Sequence, residues 1–393
     1  MITNDSFCIL PWIHQHIHPN GNVIPCCISD PSVAFGNTFD SSLEEIYNNE
    51  KFKDIRSKML LGEKIPSCSN CYRSEKVGAP SKRLNSNQRW AEKYSSKVIE
   101  TKLDGYAGDL VVGYVDIRFS NICNLKCRTC TPLCSSAWID DHKALTDVEY
   151  PHLEVPNNNH YYEKIIEHLP YIDEIYWGGG EALITKQHYE IIEILEKVNP
   201  NVVMFYQTNF TNFYYKKRSI LDYWKKFPNI DVSASLDGCG KQGEYLRAPL
   251  QWKTIIENRK LMMQELPEVP FHINCTVSAY NLYHVTDFHQ EMVEQDLVSS
   301  KNFRITHLHN PKHLRPNIFP TDYKNKCIEK INKHIEWMEV NGDNPKQYNA
   351  LIRYLEEDSR AYLDEFISYT QKLDSIRNEK CIDVFPELAE MLS

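Results

Sequence analysis

From Val111 onward the chain alternates β-rich runs with amphipathic helical stretches, and no other feature limits its fold as much. Candidate strands cover Val111–Phe119, Ile172–Trp177, Val202–Thr208, Ile230–Leu236, Phe271–Ser278 and Phe303–Leu308. Helical patterns lie between them, near Tyr162–Leu169, His188–Val198, Lys217–Lys226, Trp252–Glu265 and Leu282–Gln295. Strands alternating with helices imply right-handed βαβ units and a mostly parallel α/β sheet. Six such units make either an open doubly wound sheet or a partial barrel, and in both the ligands gather at the C-terminal strand ends.

Upstream of this region the character differs. As far as Cys71 the chain holds five cysteines among short turn-rich pieces and one amphipathic stretch, SLEEIYNNEKFKDIRSKMLLGE, which reads as one helix or two short ones. Tyr72 to Lys102 carries eight Lys/Arg against three Glu, a net of +5 in a chain of net charge −9. The overall charge argues against a general polyanion binder, because nonspecific nucleic-acid affinity comes from neutralising phosphates. The basic segment keeps a local nucleic-acid contact open beside the plainer reading of a solvated linker or helix face. Beyond Pro320 the sequence is polar and helical, with a net charge of −5 over Thr321 to Ser393. The expected division is therefore 1–80, a cysteine-rich domain; 81–108, a basic linker; 109–320, the α/β core; and 321–393, a helical extension. The N-terminus lacks a basic region followed by an apolar one, and no long uninterrupted apolar window exists, so the chain reads as soluble and cytoplasmic, without a membrane partner.

Thirteen cysteines are many, and the number is odd. In a reducing compartment, clustered thiols point to metal or catalysis rather than to disulfides. Cys123, Cys127 and Cys130 fall directly after the first predicted strand, in CNLKCRTC. A closed structural zinc site needs four ligands. Three thiolates on a cubane [4Fe–4S] cluster leave one iron free for a ligand that is not protein. Cys134 is the rival fourth ligand, or else a packed thiol.

The CxxxCxxC spacing after a first βα strand resembles the signature of the radical S-adenosylmethionine (radical SAM) enzymes, whose core is a partial (β/α)6 TIM-like barrel. Later stretches fit the same family in order. WGGGEAL at Trp177–Leu183 resembles the turn that holds the methionyl amino group, which makes Glu181 the matching acid, with the backbone of Gly179 and Gly180 assisting; Ala182 stands where the family has proline. QTNFT and SASLDG close the third and fourth strands. The resemblance makes Asn209, Ser235 and Asp237 candidates there, although each equally suits capping of a strand end. EYLRAPLQW resembles the segment whose arginine pairs with the SAM carboxylate, so Arg247 is its candidate.

The N-terminal run, CILPWIHQHIHPNGNVIPCC followed by CSNCYRSE, resembles the opening of the SPASM domain and the related twitch domain, both auxiliary iron–sulfur modules. By that resemblance Cys8, Cys26, Cys68 and Cys71 bind a second [4Fe–4S] cluster, and Gly21-x4-Cys26 favours Cys26 over Cys27. The module normally follows the core and here precedes it. Its later cysteines are missing, so one auxiliary cluster is expected; a zinc knot is the competing reading. His14, His16 and His18 alternate as strand residues do, and HLHNPKHL around His307 lies at the end of the sixth strand.

The resemblance implies reductive cleavage of SAM to a 5′-deoxyadenosyl radical that takes hydrogen from a substrate. The electron would come from a donor such as flavodoxin or ferredoxin. Family analogy points to a peptide or protein substrate. The alternatives are radical chemistry on a small molecule, carbohydrate or nucleic acid, and a noncatalytic iron–sulfur or zinc protein that keeps the fold.

Overall fold

The N-terminal module is built on a small antiparallel sheet of β1 (His16–Ile17), β2 (Asn22–Ile24) and β3 (Gly36–Asn37), and the computed structural model that shows it describes residues 4–392 apart from 31, 77 and 79. Gly21 makes the β1–β2 turn with φ +81°, and a Cβ there would meet Asn37 Oδ1 at 2.4 Å. Only glycine fits both demands. The amphipathic stretch that follows forms two helices, Leu43–Tyr47 and Glu50–Leu60. Asn49 separates them, because its side chain accepts from the Phe52 amide and so caps a new helix.

All six expected core strands form. They are β4 (Tyr114–Ile117), β5 (Glu174–Trp177), β6 (Val203–Thr208), β9 (Ile230–Ser235), β10 (Phe271–Val277) and β11 (Phe303–His307), with a short hairpin of β7 (Tyr214–Tyr215) and β8 (Arg218–Ser219) after β6. The sheet order is β11-β10-β9-β6-β5-β4, strictly sequential. A doubly wound sheet reverses its strand order at a switch point; this one never does, which is the winding of a partial (β/α)6 barrel. The expected helix at Lys217–Lys226 shrinks to Ile220–Trp224, since the hairpin takes up its first residues.

The chain groups into two compact units, one of Met1–Ser120, Leu153–Tyr206 and Lys226–Ile230, the other of Asn121–His152, Gln207–Lys225 and Asp231–Ser393. In the first unit β4 works on both faces. Phe119 and Trp177 pack against helix residues Tyr161 and His188 at 5.3 and 4.6 Å between ring centroids. On the other face Tyr114 stacks on Trp90 and His14, and Asp116 meets His16. The basic segment is helical over Lys82–Trp90 and Ser95–Ile99, and Arg83, Arg89 and Lys93 pair with Glu75, Glu174 and Asp173. Those pairings reduce the charge left for a polyanion.

In the second unit the extension is helical, as its composition predicts, with helices Thr321–Val340, Lys346–Leu355 and Leu363–Arg377. Its first two helices meet the core through a buried cluster: His289 Nδ1 lies 2.9 Å from His334 Nε2 and from the Tyr348 hydroxyl, and Phe303 stacks on His289. Burial holds His289 down to about 3 and His334 down to about 4, so both are neutral in the folded protein. The unfolded chain, with histidines near 6.5, takes up more protons below that value. Stability present above pH 6.5 is therefore lost as the pH falls towards 4, by on the order of 1–2 kcal/mol per fully buried histidine at pH 5. The melting temperature should drop between pH 7 and pH 5, and His334→Gln should flatten that drop; a pH-independent melt would contradict the assignment.

Candidate iron–sulfur and cofactor sites

The three-thiol loop has no regular secondary structure between β4 and the short helix at Ser136–Trp138, so its polar groups need partners from elsewhere. Asn121 Nδ2 donates to the Pro132 carbonyl, Ser135 Oγ to the Leu125 carbonyl, and Trp138 Nε1 to the Cys127 carbonyl at 2.7 Å. The amides of Lys126 and Arg128 donate to Ala248 and Leu246. These ties bring Cys123, Cys127 and Cys130 near enough to affect one another: beyond burial, the Cys130 thiol is pushed up by Cys134, Cys127 and Cys123. Cys134 hydrogen-bonds with Cys130 and is only half-buried, which differs from the packed thiol expected of it.

Donors point at these sulfurs. Asn209 Nδ2 lies 3.9 Å from Cys123 Sγ and 2.8 Å from Asn124 Oδ1. Arg247 Nη1 lies 3.7 Å from Cys127 Sγ, and its Nε is 2.9 Å from Asp237 Oδ2. Arg247 and Asp237 are thus paired with each other, and Asp237 Oδ1 also accepts from the Thr276 amide. Ser235 accepts from Gln207. An open groove lined by Cys130, Trp138, His142, His313, Glu365 and Tyr369 runs along the outer side of the loop.

In the first unit the Gly-Gly-Glu turn follows β5. Gly179 has φ +101°, and a Cβ there would press on the Ser120 carbonyl at 3.2 Å, so the turn needs glycine. Gly180 N donates to the Ser120 carbonyl, and Glu181 is buried with its carboxylate accepting from the Leu183 amide at 3.2 Å. Ala182 begins a short 3-10 helix whose first turn Glu181 caps, so the turn closes without the family's proline. Gly178, Gly180, Glu181 and His188 line a small cavity there, with Ser120 at its edge.

Cys8, Cys26, Cys68 and Cys71 line one small cavity, with Lys82 and Arg83 in the same wall. Burial pushes Cys8 and Cys68 up to about 12, and Cys68 and Cys71 each raise Cys8 further. Arg83, though paired with Glu75, draws both thiols back down, and metal binding would take their protons. Cys27 is not among the residues that line this cavity; burial pushes its thiol up, with Lys82, Asp116 and Arg118 as charged neighbours. Among the described residues no three His, Cys, Asp or Glu side chains converge as one ion would need. Four thiols suit zinc, which gathers sulfurs at ~2.3 Å from a point, and suit a cluster, which spreads them over separate irons.

His14 and His16 are packed rather than exposed: His14 Nδ1 is 3.1 Å from the Tyr114 carbonyl and His16 Nδ1 is 3.1 Å from Asp116 Oδ2. His16 meets His18 edge-on at 4.8 Å, as their strand alternation suggests. His307 and His309 pack on Tyr354 of the extension. Sequence reasoning passed over Asn124, Trp138, Lys126 and Arg128, which hold the loop. For Lys126 and Arg128 the available signal was their place between the cysteines of the motif.

Residues 8–72 match the family model described as SPASM, iron-sulfur cluster-binding domain. The FeMo cofactor biosynthesis protein NifB of Methanocaldococcus jannaschii is 25% identical over 285 residues, which cover 66% of this chain and 87% of that protein. Among solved structures, native anSMEcpe with bound AdoMet is similar at a TM-score of 0.43 and 19% identity, over 59% of this chain and 62% of that one. Streptococcus suis SuiB bound to S-adenosylmethionine is similar at 0.40 and 14% identity, over 68% of this chain and 57% of that one. The matches thus span less than two thirds of those two solved chains.

The family match falls on the four thiols of the N-terminal cavity, which makes that segment an iron–sulfur domain of the SPASM type. Among the described residues no helix is long and apolar enough to cross a membrane.

That Cys26 lines the cavity and Cys27 does not gives a direct check. Cys26→Ala should remove the auxiliary iron, about four atoms per chain, while Cys27→Ala should keep it. Equal losses from the two variants would place the fourth ligand differently.

Proposed function

We propose that Cys123, Cys127 and Cys130 hold the SAM-binding cluster, that Cys8, Cys26, Cys68 and Cys71 hold the auxiliary one, and that the substrate is a peptide or protein. The observation that carries the reading is the three-thiol loop, whose Cys123 and Cys127 sulfurs receive donors from Asn209 and Arg247, while Cys134, the rival ligand, hydrogen-bonds with Cys130. We assign 1–80 to the auxiliary domain, 81–108 to a linker that is helical in part, 109–320 to the radical SAM core and 321–393 to the extension. When bound, the cluster and SAM together supply the 5′-deoxyadenosyl radical that abstracts a substrate hydrogen.

The chain's own residues bind and orient. Glu181, buried and acidic, suits the methionyl ammonium, and the backbone of Gly179 and Gly180 brings the main chain close to it. Arg247 lies at the cluster loop with a guanidinium suited to the SAM carboxylate, and its pairing with Asp237 fixes its direction. Asn209 and Ser235, at strand ends, are placed for the ribose. Asn209 is buried and Ser235 half-buried. A small redox protein such as flavodoxin or ferredoxin supplies the electron.

The SPASM-type module supports the peptide reading, since such modules are often attached to peptide maturases. A non-peptide substrate is the second reading, favoured by the sequence relative that is named a cofactor biosynthesis protein. Anaerobically reconstituted protein should hold about eight irons and release 5′-deoxyadenosine from SAM under reduction. Cys127→Ala should abolish that release, and Glu181→Gln should weaken SAM binding roughly 10–100-fold, the range for a lost hydrogen bond to a charged group. Stoichiometric zinc without iron would refute the reading. Deuterium transferred into 5′-deoxyadenosine from labelled peptides, but from no small metabolite, would decide for the peptide.

A further inference from the structure

The two cations inside the cysteine motif, Lys126 and Arg128, are both tied to the far end of the chain. Arg128 is fully buried; its Nη2 lies 2.6 Å from Asp374 Oδ1 and 2.5 Å from Glu379 Oε2, and its guanidinium lies over Tyr245 at 3.6 Å from the ring centroid. Lys126 Nζ reaches Asp141 Oδ1 at 3.0 Å, and Arg377 Nε takes the other oxygen of Asp141 at 2.7 Å. Three cations thus face three anions.

The main chain is tied as well. Three consecutive carbonyls accept from side chains: Lys126 from Arg377 Nη2 at 2.7 Å, Cys127 from Trp138 Nε1 at 2.7 Å, and Arg128 from the Tyr369 hydroxyl at 3.3 Å. Arg377 also lies over the Trp138 ring at 4.9 Å. On the opposite edge the amides of Lys126 and Arg128 are taken by residues 248 and 246. Cys127 sits in the middle of a segment fixed from both sides. Asp374 is itself held by the Cys381 amide at 2.6 Å and by the Tyr245 hydroxyl at 2.8 Å, so the acceptor cannot drift with the loop.

We propose that the helix Leu363–Arg377, with Glu379 just beyond it, is a clamp that sets the geometry of the three-thiol loop, and that Arg128, Asp374 and Glu379 are positioning residues for its cluster. The inference rests on the reading that Cys123, Cys127 and Cys130 hold the SAM-binding cluster. Buried ion pairs contribute little net stability and are best attested as devices that fix one arrangement among several. A loop that must present three thiols to one cluster needs that service.

The test compares full-length Arg128→Met with the charge-neutral triple variant Arg128→Met/Asp374→Asn/Glu379→Gln, each reconstituted anaerobically. The single variant takes the buried cation from two half-buried anions and should lose both thermal stability and the loop cluster, falling from about eight irons to about four while keeping the auxiliary cluster. The triple variant should recover the melting temperature but not the missing iron. Its remaining iron should show no change in the electron paramagnetic resonance signal when SAM is added. Recovery of eight irons together with a SAM-responsive signal would overturn the clamp, as would a full iron complement in Arg128→Met. If the triple variant fails to fold, Glu379→Gln decides: an altered SAM-induced signal or a shifted midpoint potential of the loop cluster supports the clamp, and wild-type behaviour overturns it. Failure of the underlying reading looks different, because the wild-type protein itself would then show no SAM-responsive iron.

Discussion

The three-thiol loop must be held in place without the help of a helix or a strand, and much of the second unit is arranged around that need. A backbone outside regular structure still has amides and carbonyls to satisfy, and a buried one left unpaired costs as much as a lost hydrogen bond. Here the partners are Asn121, Ser135, Trp138 and the carbonyls of residues 246 and 248. The segment around Arg247 therefore acts twice, since its main chain braces the loop and its side chain donates to Cys127 Sγ.

Much of this was legible in the sequence, and what was not has a physical cause. The core strands could be read because both faces of such strands are covered, giving apolar runs bounded by turns. Each observed strand lies within its expected span, trimmed at the ends where the ladder stops. The sequential strand order was not readable, because alternation counts βα units without ordering them. The resemblance favoured Cys26 over Cys27 through the Gly21-x4-Cys26 spacing, and Cys26 is the one that lines the cavity with Cys8, Cys68 and Cys71. The hairpin at Tyr214–Ser219 was missed because aromatic and basic residues there also suit a helix. The Arg247–Asp237 pair was invisible because each residue had been read against an absent ligand, not against the other.

The N-terminal module meets β4 through polar contacts as well as apolar ones. His16 and Arg118 both engage the fully buried Asp116, His16 Nδ1 at 3.1 Å from one oxygen and Arg118 Nε at 2.8 Å from the other. The Arg118 guanidinium, with His16 at hydrogen-bond distance, holds the Asp116 carboxyl well below the usual carboxylate range despite burial. A charge placed so deeply is tolerated only when paired and hydrogen-bonded, so the arrangement fixes how β1 lies along β4 more than it adds to stability. Asp116 and Arg118 are charged neighbours of Cys27, which is not among the residues lining the cavity of the other four.

Arg128 and Glu379 are 251 residues apart in the chain, yet they touch. Contacts of such long separation form late, after loop-closure entropy has been met by nearer ones. During synthesis the motif emerges well before the helix that braces it, and domains tend to fold in the order they are made. For that interval the three thiols are on a loose, accessible loop, able to take up other metals or to oxidise. On the proposed assignment, cluster insertion is thus a matter of timing as well as affinity, since the loop acquires its final shape only when the helix Leu363–Arg377 and Glu379 are in place.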